Sequence, residues 1–130
     1  MSAPACPERI EFDCGPVQAI DLALYAAASG DHNPLHLDAE VARAAGFDKP
    51  VVHGMYTMAC VGRVFTQRFG VRALRSLSAR FTGVAKLGDR IVIEATLAGI
   101  DAGIATYALR AHSTAGTELV TGSARVVLAR

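Results

Sequence analysis

The spacing of apolar positions changes near the middle of the chain. Residues 1 to 8 show no periodicity and lead into a short strand expected near Arg9 to Phe12. Val17, Ile20, Leu24 and Ala28 then recur at helical steps, with Pro16 suited to the first turn and Gly30 to the end. Asp31-His32-Asn33-Pro34-Leu35-His36 breaks that pattern, because Pro34 disfavours helical geometry at Asn33 and has no N–H to donate. Asp38 is placed to cap a short helix over Ala39 to Ala45, which Gly46 ends. Lys49-Pro50 is a further breaker.

Gly54 to Phe69 is apolar on nearly every face and carries only two charges, Arg63 and Arg68, both late, which predicts a buried helix. Beyond Gly70 the pattern becomes one of short runs rich in Val, Ile, Leu and Thr: Leu74 to Val84, Arg90 to Ile100, Ile104 to His112 and Glu118 to Leu128. Turn-forming separators (Lys86 to Asp89, Asp101 to Gly103, Ser113 to Gly116) make these four runs read as an antiparallel meander. Helices first and strands after describe an α+β domain, a sheet packed on one long helix. Its open strand edges give it a reason to pair with a second copy.

A chain of 130 residues, 52% of them hydrophobic, suits one domain over residues 1–130 with one sizeable core. The net charge of +1, from 13 basic and 12 acidic residues, gives no global attraction to nucleic acid or an anionic membrane. Cys6, Cys14 and Cys60 are odd in number and lack Cys-x-x-Cys spacing, which argues against a disulfide framework or zinc site. The first residues lack the charged-then-apolar order of a secretory signal, and the apolar stretch Val51 to Gly62 is too short to span a bilayer. The expectation is a soluble, cytoplasmic protein.

Chemically capable residues concentrate in Ser29 to Asp38. On a continuous helix Asp31 and His36 would point apart, but the Asn33-Pro34 turn can fold both side chains toward one point. Such a pair can hold a water, one group taking its proton while the other supplies a proton to the substrate. Alternatively, Asp31 caps a local turn and His36 is an exposed loop residue. Asp31, His32, His36 and His53 are possible metal ligands, without compact ligand spacing. In Val51-Val52-His53-Gly54-Met55, Gly54 opens the apolar helix, where backbone N–H groups lack partners and lie at the positive end of the dipole. Gly54 would let a carbonyl group approach those amides, as in an oxyanion hole, or would merely relieve crowding; His53 reads as structural.

Tyr25-Ala-Ala-Ala-Ser29-Gly30-Asp31-His-Asn33-Pro34-Leu35-His36 resembles the signature of the MaoC-like, (R)-specific enoyl-CoA hydratases. Val52-His53-Gly54-Met55 and Phe81-Thr-Gly-Val84-Ala-Lys-Leu-Gly88-Asp89 are similar to later segments of that family, so the likeness spans most of the chain. The resemblance implies a hotdog fold, an antiparallel sheet wrapped around a long central helix, and a homodimer. It implies Asp31 and His36 as the catalytic dyad, Asn33 as a polar residue supporting the substrate site, and Gly54 as backbone donor to the thioester carbonyl. No metal or organic cofactor is implied. The substrate would be a coenzyme A or acyl-carrier-protein thioester. Two positions depart from the family: Gly62 replaces a serine that some members place near the catalytic water, and Gly83 stands where relatives often carry proline.

Arg63, Arg68, Arg72, Arg75, Arg80 and Lys86 form a basic stretch that would suit coenzyme A phosphates or be solvated surface. A hotdog thioesterase and a non-catalytic acyl-binding partner subunit are the competing readings.

Overall fold

The computed structural model describes residues 6–128. Strand β1 (Arg9–Pro16) is followed by helix α1 (Ala19–Ser29), a 3-10 turn (Pro34–His36), helix α2 (Ala39–Ala44) and the long helix α3 (Gly54–Phe69). Strands β2 (Leu74–Phe81), β3 (Arg90–Asp101), β4 (Ile104–Ser113) and β5 (Glu118–Val127) complete the chain. All pairings are antiparallel, and the five-stranded sheet has the order β1-β3-β4-β5-β2. It packs against α3, as the hotdog expectation requires.

Alternation along the strands builds the core. Ile91, Ile93 and Ala95 of β3, and Ala105, Tyr107, Leu109 and Ala111 of β4, are buried at every second position. They meet Val61, Val64 and Phe65 of α3. Phe65 is fully buried, and its truncation to alanine would cost about 3–5 kcal/mol. Because α3 meets the sheet along one face, Met55, Ala59, Arg63, Gln67 and Arg68 remain exposed, contrary to burial all round.

The meander holds only for β3, β4 and β5. The β3–β4 link is tight: Ala102 and Gly103 have φ of 53° and 77°, the left-handed pair that two-residue hairpins of right-handed twist require. Strand β2 instead crosses to the far edge and pairs with β5. The physical reason lies in the connection after Phe81: Val52 N–H donates to Ala85 O (2.8 Å), Leu87 N–H to Pro50 O (2.9 Å), and Val51 bridges Lys86. Residues 85–87 thus pair with the approach to α3, and β2 stops before Val84.

Pro16 likewise ends β1 and does not start a helix. Val17 is held extended by bonds with Asp89 O (2.9 Å) and from Gly88 N (2.8 Å), so α1 begins later, with Gln18 N–H bonded to Asp21 Oδ2. Leu22 and Ala26 form its buried face, whereas Ile20 and Leu24 are exposed. Helix α2 follows the expected pattern, with Asp38 Oδ1 accepting from Glu40 N (2.9 Å) and Val41 N (3.4 Å).

Candidate active site

The turn after α1 is tied by its own side chains. Gly30, at φ 80°, closes the helix by donating to Ala26 O. Asp31 N–H donates to Ser29 Oγ (3.2 Å), Asn33 N–H to Asp31 Oδ1 (3.3 Å) and Leu35 N–H to Asn33 Oδ1 (3.0 Å). Pro34 then opens the 3-10 turn that carries His36. The turn-capping reading of Asp31 is therefore correct for one oxygen. The other, Oδ2, faces His36 Nε2 at 3.5 Å.

The opposite side of the His36 ring sets its chemistry. Nδ1 lies 2.8 Å from Val51 O, a group that only accepts, so the neutral ring carries its proton on Nδ1 and presents the Nε2 lone pair toward Asp31. The His36 side chain is only 12% exposed, against 51% for Asp31. One member of the pair is anchored and enclosed, and the other is open to solvent.

His53 has a larger part than the sequence suggested. It is 1% exposed, its ring stacks on His36 with centroids 3.8 Å apart, and Tyr25 lies against it at 4.9 Å. Its Nε2 donates to the backbone carbonyl of Asp31 (3.2 Å), which leaves Nδ1 an acceptor without a partner among the described residues. Desolvation lowers its pKa, with its bond to Asp31 opposing that shift, so the ring is neutral near pH 7. The adjacency of His53 to Gly54 was the available sequence signal; the Val51 carbonyl left none.

His53 also caps α3 from outside, without a side-chain bond to it. The backbone bonds of the first turn begin at Tyr56 N, which donates to His53 O (3.0 Å), and the Gly54 N–H meets no acceptor among the described residues. It borders an apolar cavity of about 150 Å³ between α3 and the β2–β5 end of the sheet, lined by Val52, Thr57, Phe81, Val84, Leu119 and Val120. A second cleft, bounded by Leu22, Leu37, Pro50 and Leu87, reaches His36.

The structure thus brings Asp31 and His36 together with His53, places Asn33 in the supporting turn, and sets Gly54, next to His53 in the chain, on a different cavity from the cleft that reaches His36. Asp31, His36 and His53 each offer a ligand atom within 4.8 Å of the others. Two nearly parallel imidazoles, 21° between planes, keep their in-plane lone pairs from converging on one ion at about 2 Å. His32 is exposed and outside this group. Of the basic residues, Lys86 pairs with Asp48 (2.7 Å) and the Arg63 guanidinium lies over the Phe12 ring. A side chain at Gly62 would only touch Leu77, whereas one at Gly83 would run into the Glu118 carbonyl.

Residues 7–117 match the MaoC like domain family. The chain is 33% identical over 114 residues to the (R)-specific enoyl-CoA hydratase of Aeromonas caviae, covering 85% of each. It is 39% identical over 72 residues to a mitochondrial 3-hydroxyacyl-[acyl-carrier-protein] dehydratase of Arabidopsis thaliana, 55% of this chain and 43% of that protein. The chain spans less than half the length of that dehydratase and of several other curated relatives. Among solved structures it is similar to the (R)-hydratase from A. caviae involved in PHA biosynthesis, with a TM-score of 0.85 at 27% identity over 99% of this chain and 98% of the other. No described helix is long and apolar enough to cross a membrane.

Proposed function

We propose, because the chain belongs to the MaoC-like domain family, that it is a hydro-lyase adding water reversibly to a trans-2-enoyl thioester of coenzyme A or an acyl-carrier protein. The product is an (R)-3-hydroxyacyl thioester. The observation that carries this reading is the pair formed by Asp31 Oδ2 and the His36 Nε2 lone pair, beside a helix whose opening glycine amide has no acceptor among the described residues.

Water held between Asp31 and His36 gives a proton to one of them as its oxygen attacks C3, and the pair returns a proton to C2 on the same face. As C3 is attacked, negative charge grows on the thioester oxygen, and the Gly54 N–H at the positive end of α3 stabilises it. Asn33 contributes by holding the turn at Leu35 N, which keeps the carboxylate and imidazole facing one another. The acyl chain occupies the cavity walled by Phe81, Val84 and Leu119.

The unit that does this is one domain over residues 1–130, working as a homodimer in a reducing, cytoplasmic setting. Strand β2 is an edge of the sheet, and its exposed Phe81 lies beside the exposed Val84, an edge that a second β2 would cover. Light scattering behind size-exclusion chromatography reads a mass of two chains if this holds and of one if it does not.

The deciding experiment is incubation with crotonyl-CoA, following enoyl-thioester absorbance and free thiol together. Loss of absorbance without thiol release supports hydration. Thiol release without hydration overturns it in favour of a thioesterase, and silence with every acyl length leaves an acyl-binding subunit.

A further inference from the structure

The cavity at the start of α3 holds one polar side chain. Thr57 lies on its wall three residues after Gly54, and only 4% of the residue is exposed. The rest of that wall is glycine or apolar, with Val52, Phe81, Val84, Ala85 and Leu119 as its main surfaces.

A threonine inside a helix commonly turns its hydroxyl back onto a carbonyl three or four residues earlier. Thr66 of the same helix does so, donating to Arg63 O at 3.3 Å. At Thr57 the carbonyl four residues earlier, His53 O, already accepts from Tyr56 N (3.0 Å) and Thr57 N (3.4 Å). The Thr57 hydroxyl has no hydrogen-bond partner among the described residues, yet it is not sealed off as His53 Nδ1 and His112 Nε2 are. The small surface that Thr57 keeps belongs to the cavity.

A hydroxyl left unpaired in apolar surroundings costs free energy until a ligand atom pairs it. An alkyl chain has no such atom. An enoyl thioester has one strong acceptor near its reacting carbons, the carbonyl oxygen, and two lone pairs let that oxygen take two donors at once. Positions three apart are neighbours on one helix face, and helical side chains lean toward the N-terminus. The Thr57 side chain therefore leans toward the end of the wall where the Gly54 amide lies.

We propose that Thr57 is a catalytic residue of the thioester site, its O–H being the second donor, beside the Gly54 N–H, to the thioester carbonyl oxygen. The proposal rests on the hydration reading above. Thr57 gives up no proton. As water adds at C3, the electron pair of the C2–C3 double bond moves toward C1 and the carbonyl oxygen gains negative charge, so both hydrogen bonds to it strengthen. When C2 takes its proton, that charge returns and the carbonyl is restored, with no bond to Thr57 made or broken.

Two substitutions separate the hydroxyl from the shape of the side chain. Thr57→Val keeps the shape and removes the hydroxyl, whereas Thr57→Ser keeps the hydroxyl. With crotonyl-CoA, Thr57→Val should lose kcat on the order of 100-fold while KM moves little, because the hydrogen bond matters most in the transition state. Thr57→Ser should recover most of that rate. Since the hydroxyl has no protein partner to lose, Thr57→Val should also melt at or above the temperature of the natural protein. A natural kcat in Thr57→Val, a Thr57→Ser variant as slow as Thr57→Val, a loss confined to KM, or a lower melting temperature of Thr57→Val would each overturn this role. Failure of the hydration reading shows separately, as absence of hydration by the natural protein with every enoyl chain length, and it overturns the proposal as well.

Discussion

The imidazole of His53 lies flat on that of His36, centroids 3.8 Å apart, while its Nε2 holds the backbone carbonyl of Asp31 at 3.2 Å. One buried ring therefore touches both members of the proposed dyad without facing the reacting atoms. This makes His53 a positioning residue. His53→Leu loses both the hydrogen bond and the stacking, and a shift of the dyad by even an ångström costs rate on the order of 100-fold. His53→Gln keeps an N–H for Asp31 and should recover part of kcat. Steady-state kinetics with crotonyl-CoA check this: the loss should fall on kcat more than on KM, and equal kcat in the two variants would remove the positioning role.

The same ring makes folding stability depend on pH. Desolvation lowers the His53 pKa in the folded state below its ordinary value near 6.5. Below that value the unfolded chain binds a proton that the folded chain does not, so stability is complete above about pH 6.5 and falls as the pH drops toward the folded pKa. Urea unfolding midpoints between pH 8 and 5 should decline in the natural protein, and the decline should be shallower in His53→Gln. Parallel slopes would mean that His53 titrates alike in both states.

The parts of the site that were legible in the sequence are local ones. The Asn33-Pro34 turn, the Asp38 cap and Gly54 at the start of α3 each depend on residues within a few positions of one another, so their signals survive in a linear reading. What failed depended on distant partners. Pro16 looked like a helix start because the bonds of Val17 to Gly88 and Asp89 carry no pattern of their own. The pairing of β2 with β5 was hidden because residues 85–87 spend their hydrogen bonds on residues 50–52. The Val51 carbonyl that fixes the His36 tautomer is backbone, and any residue there would supply it.

Removing either member of the pair should take away most turnover without unfolding the protein. Asp31→Asn keeps an acceptor for Asn33 N–H but loses the charge facing His36, and His36→Gln retains polarity without a basic ring nitrogen. General acid–base groups contribute about 10²–10⁴-fold, and each variant should lose rate in that range. Because the two act as one unit, the double variant should be little worse than the singles. Crotonyl-CoA hydration measured beside thermal melts checks both statements, and near-natural activity in either single variant would dissolve the assignment.

Two glycines of the cavity wall and its neighbouring strand are required by contact rather than by conformation. A Cβ at Gly122 would fall on the Ser78 carbonyl across the β5–β2 pairing, and one at Gly83 on the Glu118 carbonyl. Neither backbone can retreat without opening the sheet edge, so Gly122→Ala and Gly83→Ala should each destabilise by about 1–3 kcal/mol. Gly62→Ser, which only approaches Leu77 at 3.6 Å, should leave stability nearly unchanged. Chemical denaturation of the three variants orders them, and a Gly122→Ala midpoint equal to the natural one would show that the strands separate at little cost.

Gly54 separates a catalytic demand from a packing one. A Cβ there would meet the Phe81 ring at 3.4 Å, a contact that a small tilt of the ring relieves, and alanine in the first turn suits a helix better than glycine. Gly54→Ala should therefore hold or slightly raise thermal stability. Its methyl group nevertheless stands where the thioester must approach the Gly54 amide, and displacing that oxygen weakens the charge stabilisation that the helix end offers. Hydration should fall on the order of 10–100-fold. Adding Phe81→Ala distinguishes the causes: it frees the space that the methyl group enters from the ring side but cannot bring the carbonyl back to the amide. If Gly54 acts through its N–H, the double variant stays as slow as Gly54→Ala; recovery of the natural rate would show that the glycine serves only to make room for Phe81.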